Sequence, residues 1–257
     1  MLTNSNTFPQ STFSNTKAIP IVSQWFGSWN IQLGRRAHTA DELSNRYDAI
    51  ATIWDKTLSK FETPEAYRIL LSKALPDSVL LDDVASPRIL DCGVGTGAFL
   101  AACADMVNGN AELHGLDVSK AMLKKAREAL KTRGWKGSFS KGDIRQLPYP
   151  NNCFDIVLAA HVIEHISDPQ IALAEMVRVL KPGGTLLICV TRKSVIGRAI
   201  QFRWRTHAID EVRAIAWLDQ VGLKAVRPIR ALSTGDFDKM SIACAAQKPF
   251  FEDTKHD

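Results

Sequence analysis

The run from Arg88 to Leu100, Arg-Ile-Leu-Asp-Cys-Gly-Val-Gly-Thr-Gly-Ala-Phe-Leu, constrains this chain more than any other stretch. Arg88 to Asp91 is expected to form a short buried strand. Gly93, Gly95 and Gly97 then make a tight turn, and Ala98 to Val107 a helix. Glycine lacks a Cβ, so the backbone can turn sharply and a ligand can approach it closely. The turn leads into a helix N-terminus, whose free N–H groups favour negative charge. Strand, glycine turn and helix in this order are a nucleotide-cofactor site.

The glycines alone leave the cofactor open. Gly93, Gly95 and Ala98 also fit the dinucleotide pattern G-x-G-x-x-G/A, with an acid, Asp117, where that pattern expects one. Asp91 separates the readings. A carboxylate at the strand end, two residues before the first glycine, would repel a pyrophosphate and suit a cationic amino group. The run Asp-x-Gly-x-Gly-x-Gly resembles the first motif of class I S-adenosylmethionine (SAM) methyltransferases. The competing reading is a structural glycine turn with no ligand.

The resemblance extends over roughly residues 40–248, with its motifs in family order. Gly115 to Met122 resembles the second motif, which implies that Asp117 holds the ribose hydroxyls while Val118 and Met122 pack on adenine. Taken alone, Asp117 reads as a turn carboxylate. Gly142 to Val157 resembles the third motif and fourth strand. There Asp143 accepts from the adenine amino group and Ile144 flanks the ring. His161 follows the fourth strand, at the end where ligands of open α/β sheets sit. It is a candidate general base or acceptor-orienting group, and a pocket wall without proton transfer is the alternative. Val162-Ile-Glu-His165 is similar to the Leu-Glu-His element of this superfamily, and Glu164 and His165 are read as structural. Lys181-Pro-Gly-Gly184 before the fifth strand is a further family feature. Arg46 to Asp55 resembles the N-terminal addition of small-molecule members, which makes Tyr47 and Trp54 candidate lid residues, with Tyr47 placed beside His161 as catalytic. Both also fit the core face of an amphipathic helix.

The expected fold is α/β: a Rossmann-like, seven-stranded, mostly parallel sheet with helices on both faces, an antiparallel final strand and an N-terminal helical lid. Residues 1–38 are expected as a flexible tail and arm. The rest, 39–250, is one domain that includes lid helices over 39–76. Ile19 to Gly34 holds Trp25, Phe26 and Trp29 and reads as a short amphipathic helix or packed arm. Thr39-Ala-Asp-Glu42 is a capping box. It opens a helix with Leu43, Tyr47, Ile50 and Trp54 on one face. A second helix starts near Pro64 and runs to about Leu75. Strands are expected at 112–116, 137–141, 154–159, 185–190, 223–229 and 241–246. Ser119 caps a helix through Leu130. Pro169 to Leu180 is a helix ended by Pro182-Gly-Gly184, and Val212, Ile215 and Leu218 mark another that ends at Gly222.

Composition narrows the partners. No apolar run reaches membrane-span length, and the five cysteines, an odd number without Cys-x-x-Cys, read as reduced buried thiols of a cytoplasmic protein. Residues 191–230 carry nine basic and three acidic side chains, a local excess of six against +5 for the whole chain. Within them Arg192, Lys193, Arg198, Arg203 and Arg205 alternate with Val195, Ile196, Ile200, Phe202 and Trp204. Such a segment suits an amphipathic anionic or lipid-like acceptor, or a peripheral membrane contact. An ordinary solvated helix face is the alternative. Nucleic acid is disfavoured because no binding module accompanies the charge. The resemblance implies methyl transfer from SAM, leaving S-adenosylhomocysteine, with no metal, and the basic segment suggests a small-molecule or lipid-like acceptor. A non-catalytic SAM-binding partner and a dinucleotide-dependent dehydrogenase are the alternatives.

Overall fold

The computed structural model describes residues 18–26, 28–36, 38–59, 63–76, 86–107, 111–193, 206–207, 209–232 and 237–250; for 18–26, 29–35, 50–59 and 63 it describes the backbone alone. A hairpin of β1 (Ala18–Phe26) and β2 (Trp29–Arg36) comes first. Helices α1 (Ala40–Ser59) and α2 (Thr63–Ala74) follow. Then come β3 (Arg88–Cys92), α3 (Ala98–Met106), β4 (Glu112–Asp117), α4 (Lys120–Thr132) and β5 (Gly137–Lys141). The second half holds β6 (Phe154–Ala160), a 3-10 turn (Ile163–His165), α5 (Pro169–Val179) and β7 (Leu180–Thr191). It closes with α6 (Glu211–Gln220), β8 (Lys224–Ile229), α7 (Phe237–Met240) and β9 (Ser241–Gln247).

Seven strands form one sheet in the order β5-β4-β3-β6-β7-β9-β8. Six run parallel, and β9 alone is antiparallel to both neighbours, β7 and β8. Strand alternation divides the core between the two sheet faces. Ile156, Leu158, Leu187, Cys189, Ala243 and Ala245 pack with α2, α3 and α4 on one face. Their neighbours Val157, Ala159, Leu186, Ile188, Ile242 and Cys244 pack with α5 and α6 on the other. Strands covered on both faces read as nearly continuous apolar runs, which is why they were legible. The chain winds outward from β3 to β5, then returns to the other side of β3 at β6. That reversal opens a crevice at the C-terminal ends of β3, β4 and β6, where ligands of such sheets bind.

Helix α1 is bolted across this crevice by polar contacts. The Thr39–Glu42 capping box forms reciprocally: Glu42 N–H donates to Thr39 Oγ1 at 3.2 Å and Thr39 N–H to Glu42 Oε2 at 2.9 Å. Ser44 Oγ donates to the Val118 carbonyl at 3.0 Å. Asp48 Oδ1 accepts from the Ser119 hydroxyl and from the Ala121 N–H.

Two local expectations change. Residues 19–34 are a hairpin, not a helix. The first half is rich in β-branched and aromatic residues, the second alternates Trp29, Ile31 and Leu33 with polar residues, and Gly27-Ser28 between them is a turn signal that outweighs the loose apolar spacing. The strand β7 begins at Leu180, so Gly183 and Gly184 lie inside it rather than in a loop. Gly183 N–H donates to the Lys248 carbonyl and Lys248 N–H to that of Gly184, which extends the ladder past the end of β9. All five cysteines are buried. Among the described residues, no helix is long and apolar enough to cross a membrane. The tail 1–17, the side chains of Trp25, Trp29, Ile50 and Trp54, and residues 194–205 lie outside what is described.

Candidate active site

The glycine turn is built by left-handed backbone and tight packing. Gly93, Gly95 and Gly97 have φ of +75°, +53° and +86°. A Cβ on Gly93 would meet Val162 Cγ2 at 2.6 Å, and one on Gly97 would meet Ala126 Cα at 3.0 Å. The turn is also strapped to β4. Gly93 and Val94 N–H donate to the Leu116 carbonyl, and Gly95 N–H donates to Asp117 Oδ2 at 2.9 Å. Gly93 and Gly95 line the crevice together with Thr96 and Ala98, whereas Gly97 does not. Its role is to cap α3 in a conformation only glycine adopts easily.

Two carboxylates face this pocket from adjacent strand ends, and their circumstances differ. Asp117 is 7% exposed, and its second oxygen, Oδ1, accepts from Ser119 N–H at 2.9 Å. Burial pushes its pKa up, against those backbone bonds. Asp91 is 1% exposed, and neither oxygen makes a well-formed hydrogen bond within the described protein. Burial, reinforced by the Asp117 charge and offset only by a weak interaction with the Leu100 backbone, raises its pKa to about 8. A buried carboxylate left this way is costly unless a cation meets it. The cationic amino group of SAM fits that requirement; the pyrophosphate of a dinucleotide does not.

The side chains expected around adenine also come together. Val118, Met122, Asp143 and Ile144 all line the pocket, and Met122 and Ile144 are buried. Ser119 caps α4 by accepting from Met122 N–H at 3.0 Å, which fixes the β4–α4 corner. One neighbour was not foreseen. Arg145 grips both Asp143 oxygens, with Nε at 3.0 Å from each. Although burial opposes it, the Arg145 bonds hold the Asp143 pKa below the usual carboxylate range. A group binding Asp143 must share it with this guanidinium.

The other end of the pocket is lined by Tyr47, Tyr67, His161, Val162, His165 and Ile166, among others. His161 has φ +56°, an uncommon conformation for a non-glycine residue, and its N–H donates to the Cys189 carbonyl at 2.7 Å. Tyr47 OH pairs with His165 Nε2 at 3.0 Å, joining α1 to the 3-10 turn. Burial lowers the His165 pKa to about 4, so this imidazole is neutral near pH 7. Burial raises the Tyr47 phenol, with Glu164 and Asp117 adding to the shift. Tyr67 stacks on Phe99 at 4.3 Å between centroids and is 3% exposed. Its place in the pocket escaped the sequence reading because an aromatic on the apolar face of a helix signals a core, with no local mark of a site. Arg145 carried a faint signal, a cation two residues after the motif acid.

Residues 90–188 match the family described as "Methyltransferase domain". The "Ubiquinone/menaquinone biosynthesis C-methyltransferase UbiE" of Teredinibacter turnerae is 38% identical over 103 residues, 39% of this chain and 41% of the relative. That of Proteus mirabilis is 36% identical over 111 residues, 42% and 44% of the two chains. The match thus spans about two-fifths of the curated relatives' length. Among solved structures, the "[4+2]-Cyclase SpnF" superposes with a TM-score of 0.65 at 19% identity, covering 84% of this chain and 98% of the other. The "putative methyltransferase" of Haloferax volcanii, in complex with its Trm112 activator, gives 0.64 at 20% identity, covering 79% and 97%. The "Phospholethanolamine N-methyltransferase 2" of Haemonchus contortus, solved with S-adenosylhomocysteine, gives 0.57 at 16%, covering 86% and 62%. Likeness at this identity shows the class I methyltransferase fold, and the cyclase among these structures shows that the fold alone does not fix the reaction.

Proposed function

We propose that this chain, whose residues 90–188 are a methyltransferase domain, binds SAM in the crevice at β3, β4 and β6 and transfers its methyl group to a small or lipid-like acceptor. The observation that carries the reading is Asp91, a buried carboxylate beside the glycine turn with no well-formed hydrogen bond to either oxygen among the described residues. It calls for a cation, and the glycine turn and Asp117 beside it suit the nucleoside to which that cation is attached.

SAM supplies a methyl group on a sulfonium, an activated leaving group that departs as a neutral thioether. The protein's part is alignment and exclusion of water. Asp91 holds the amino group. Asp117, already fixed by Gly95 and Ser119, accepts from the ribose hydroxyls. Val118, Met122 and Ile144 make the slot for the base, with Asp143 at its edge. Tyr47, Tyr67, Val162 and Ile166 wall the acceptor end, and α1 acts as the lid. His161 faces the acceptor as base or orienting group.

The acceptor is proposed on chemistry. The lining of that end is mostly aromatic and aliphatic, which suits a ring or an acyl or prenyl chain. The relatives' names place them in quinone biosynthesis. The basic and apolar segment 192–205 lies beyond the matched residues 90–188, and its composition suits drawing in an anionic or membrane-borne acceptor. Incubating the full chain with methyl-labelled SAM and a cell extract tests the proposal. Label in an organic-extractable small molecule supports it. Label confined to protein or nucleic acid overturns it. Co-sedimentation with anionic vesicles, lost in high salt, separates a membrane-borne acceptor from a soluble one.

A further inference from the structure

We infer that Glu164 and Thr191 are positioning residues that hold His161 with a hydrogen on Nδ1, making Nε2 the atom that takes a proton from an acceptor hydroxyl. This rests on the proposed methyl transfer and adds the acceptor class: a molecule with an acidic O–H, such as a phenol or hydroquinone.

The geometry fixes the hydrogen by elimination. Glu164 is 1% exposed, and its Oε1 accepts from Thr191 N–H at 3.0 Å and from Thr191 Oγ1 at 2.9 Å. The Thr191 hydroxyl spends its single hydrogen on that carboxylate. Towards His161 Nδ1, at 3.3 Å, it offers only a lone pair. Glu164 Oε1, at 3.5 Å from the same nitrogen, is also an acceptor. Both neighbours of Nδ1 therefore require it to carry hydrogen, whether the ring is neutral or charged. The proton exchanged in a reaction is then that of Nε2, which has the Ser241 hydroxyl at 3.5 Å.

The charges around the ring agree. The titratable groups around it are Glu164 and His165 on the turn, Cys189 on β7, and the Tyr47 and Tyr67 phenols, which share the pocket and are pushed up by burial. Burial would raise Glu164, but the His161 hydrogen bond and charge hold it at about 2, so it is ionised. His165 is neutral near pH 7, and burial pushes the Cys189 thiol well up. One buried negative charge thus faces Nδ1, an arrangement that supports a protonated imidazole as it forms. The left-handed backbone of His161, held by Cys189, is the kind of local strain that clusters at reacting groups.

The step balances simply for methylation at oxygen. An acceptor O–H gives its proton to Nε2, the oxygen lone pair forms the new bond to the methyl carbon, and the old C–S pair stays on sulfur. When the methyl goes to a ring carbon made nucleophilic by that oxygen, the ring C–H proton is the one finally lost. Either way one proton leaves per turnover.

Nitrogen NMR of the full chain with labelled histidine, His161 being assigned by His161→Asn, reads the tautomer without any acceptor. The neutral ring is expected as the Nδ1–H form alone. Thr191→Val and Glu164→Gln should admit the Nε2–H form, and Thr191→Ser should restore the original. In parallel, a prenylated hydroquinone, an alkylamine and a thiol are offered with labelled SAM. Only the hydroquinone should be methylated. Its kcat should fall about 10²-fold or more in His161→Asn and Glu164→Gln while the SAM KM holds within about twofold. The acidic limb of the pH–rate profile should move to lower pH in Glu164→Gln. An unchanged tautomer and profile in both Thr191→Val and Glu164→Gln overturns the positioning role, and preference for the amine or thiol overturns the acceptor class. If Glu164→Gln does not fold, the Thr191 pair decides alone. If no probe is methylated, the NMR still decides the positioning, and the failure falls on the acceptor.

Discussion

The two ends of the pocket are made in different ways. The nucleoside end uses residues from three short stretches, 91–98, 115–122 and 142–145, whose key bonds link a carboxylate to backbone N–H groups at the corners of adjacent strands. The acceptor end draws Tyr47 from α1, Tyr67 from α2 and His161, Val162, His165 and Ile166 from the stretch after β6, with Thr191 of β7 and Ser241 of β9 set against the His161 ring. Its contacts join residues as many as 118 positions apart. A site made from local corners is carried by short motifs, whereas a site made by tertiary assembly exists only once the sheet has closed.

The sharpest contrast is between a left-handed glycine of the nucleoside end, Gly93, and one outside the pocket, Gly134, in the turn between α4 and β5. Gly93→Ala places a Cβ against Val162 at φ +75°, so it should cost about 2–4 kcal/mol in denaturant melts. Gly134→Ala, at φ +80° with nothing within 4 Å, should cost about 1–2 kcal/mol. Equal costs would show that the turn has slack the structure does not show.

The two carboxylates offer the next test. Asp91 has a folded pKa of about 8, above its unfolded value, so the folded state holds this proton more tightly. Its stability contribution is best at low pH, declines as pH rises from the unfolded carboxylate range, and levels off above about 8. Asp91→Asn should therefore stabilise the free protein near pH 7, by on the order of 3 kcal/mol, and flatten this pH dependence. The same change should weaken SAM at least about tenfold. Asp117→Ala should weaken SAM similarly but destabilise the protein by about 1–2 kcal/mol, because the Gly95 and Ser119 N–H groups lose their acceptor. Thermal melts with and without ligand separate these outcomes.

At the acceptor end, Tyr47→Phe removes the bond to His165 and should cost about 1 kcal/mol. SAM affinity should stay within about twofold while turnover changes. Loss of SAM binding would erase the division between the two ends. The smallest effect is expected for Thr39→Ala, which breaks the capping box of α1 and should cost about 1 kcal/mol in a chemical melt, with SAM affinity unchanged.

This division also explains what the sequence made legible. The glycine turn, Asp91, Asp117 and Asp143 were readable because each sits at a fixed offset from a strand end. The capping boundaries at Thr39 and Ser119 were readable because a helix start has local chemistry. Tyr67 was not, since nothing near it in sequence says that it faces a pocket, and neither were Thr191 and Ser241, which meet His161 only once the sheet has closed. The pairing of Arg145 with Asp143 turns on side-chain conformation, and the hairpin at 18–36 turned on weighing a Gly-Ser turn against an apolar pattern.

The central claim is that the lone carboxylate at the end of β3 awaits the cation of SAM. Titration calorimetry of the full chain near pH 7, repeated in buffers of different ionisation enthalpy, tests it directly. SAM and S-adenosylhomocysteine should both bind the wild type and release close to one proton, because Asp91 must ionise to meet the amino group; Asp91→Asn should bind more weakly and release none. No binding of either ligand at about millimolar concentration, or identical proton release from Asp91→Asn, would contradict the account.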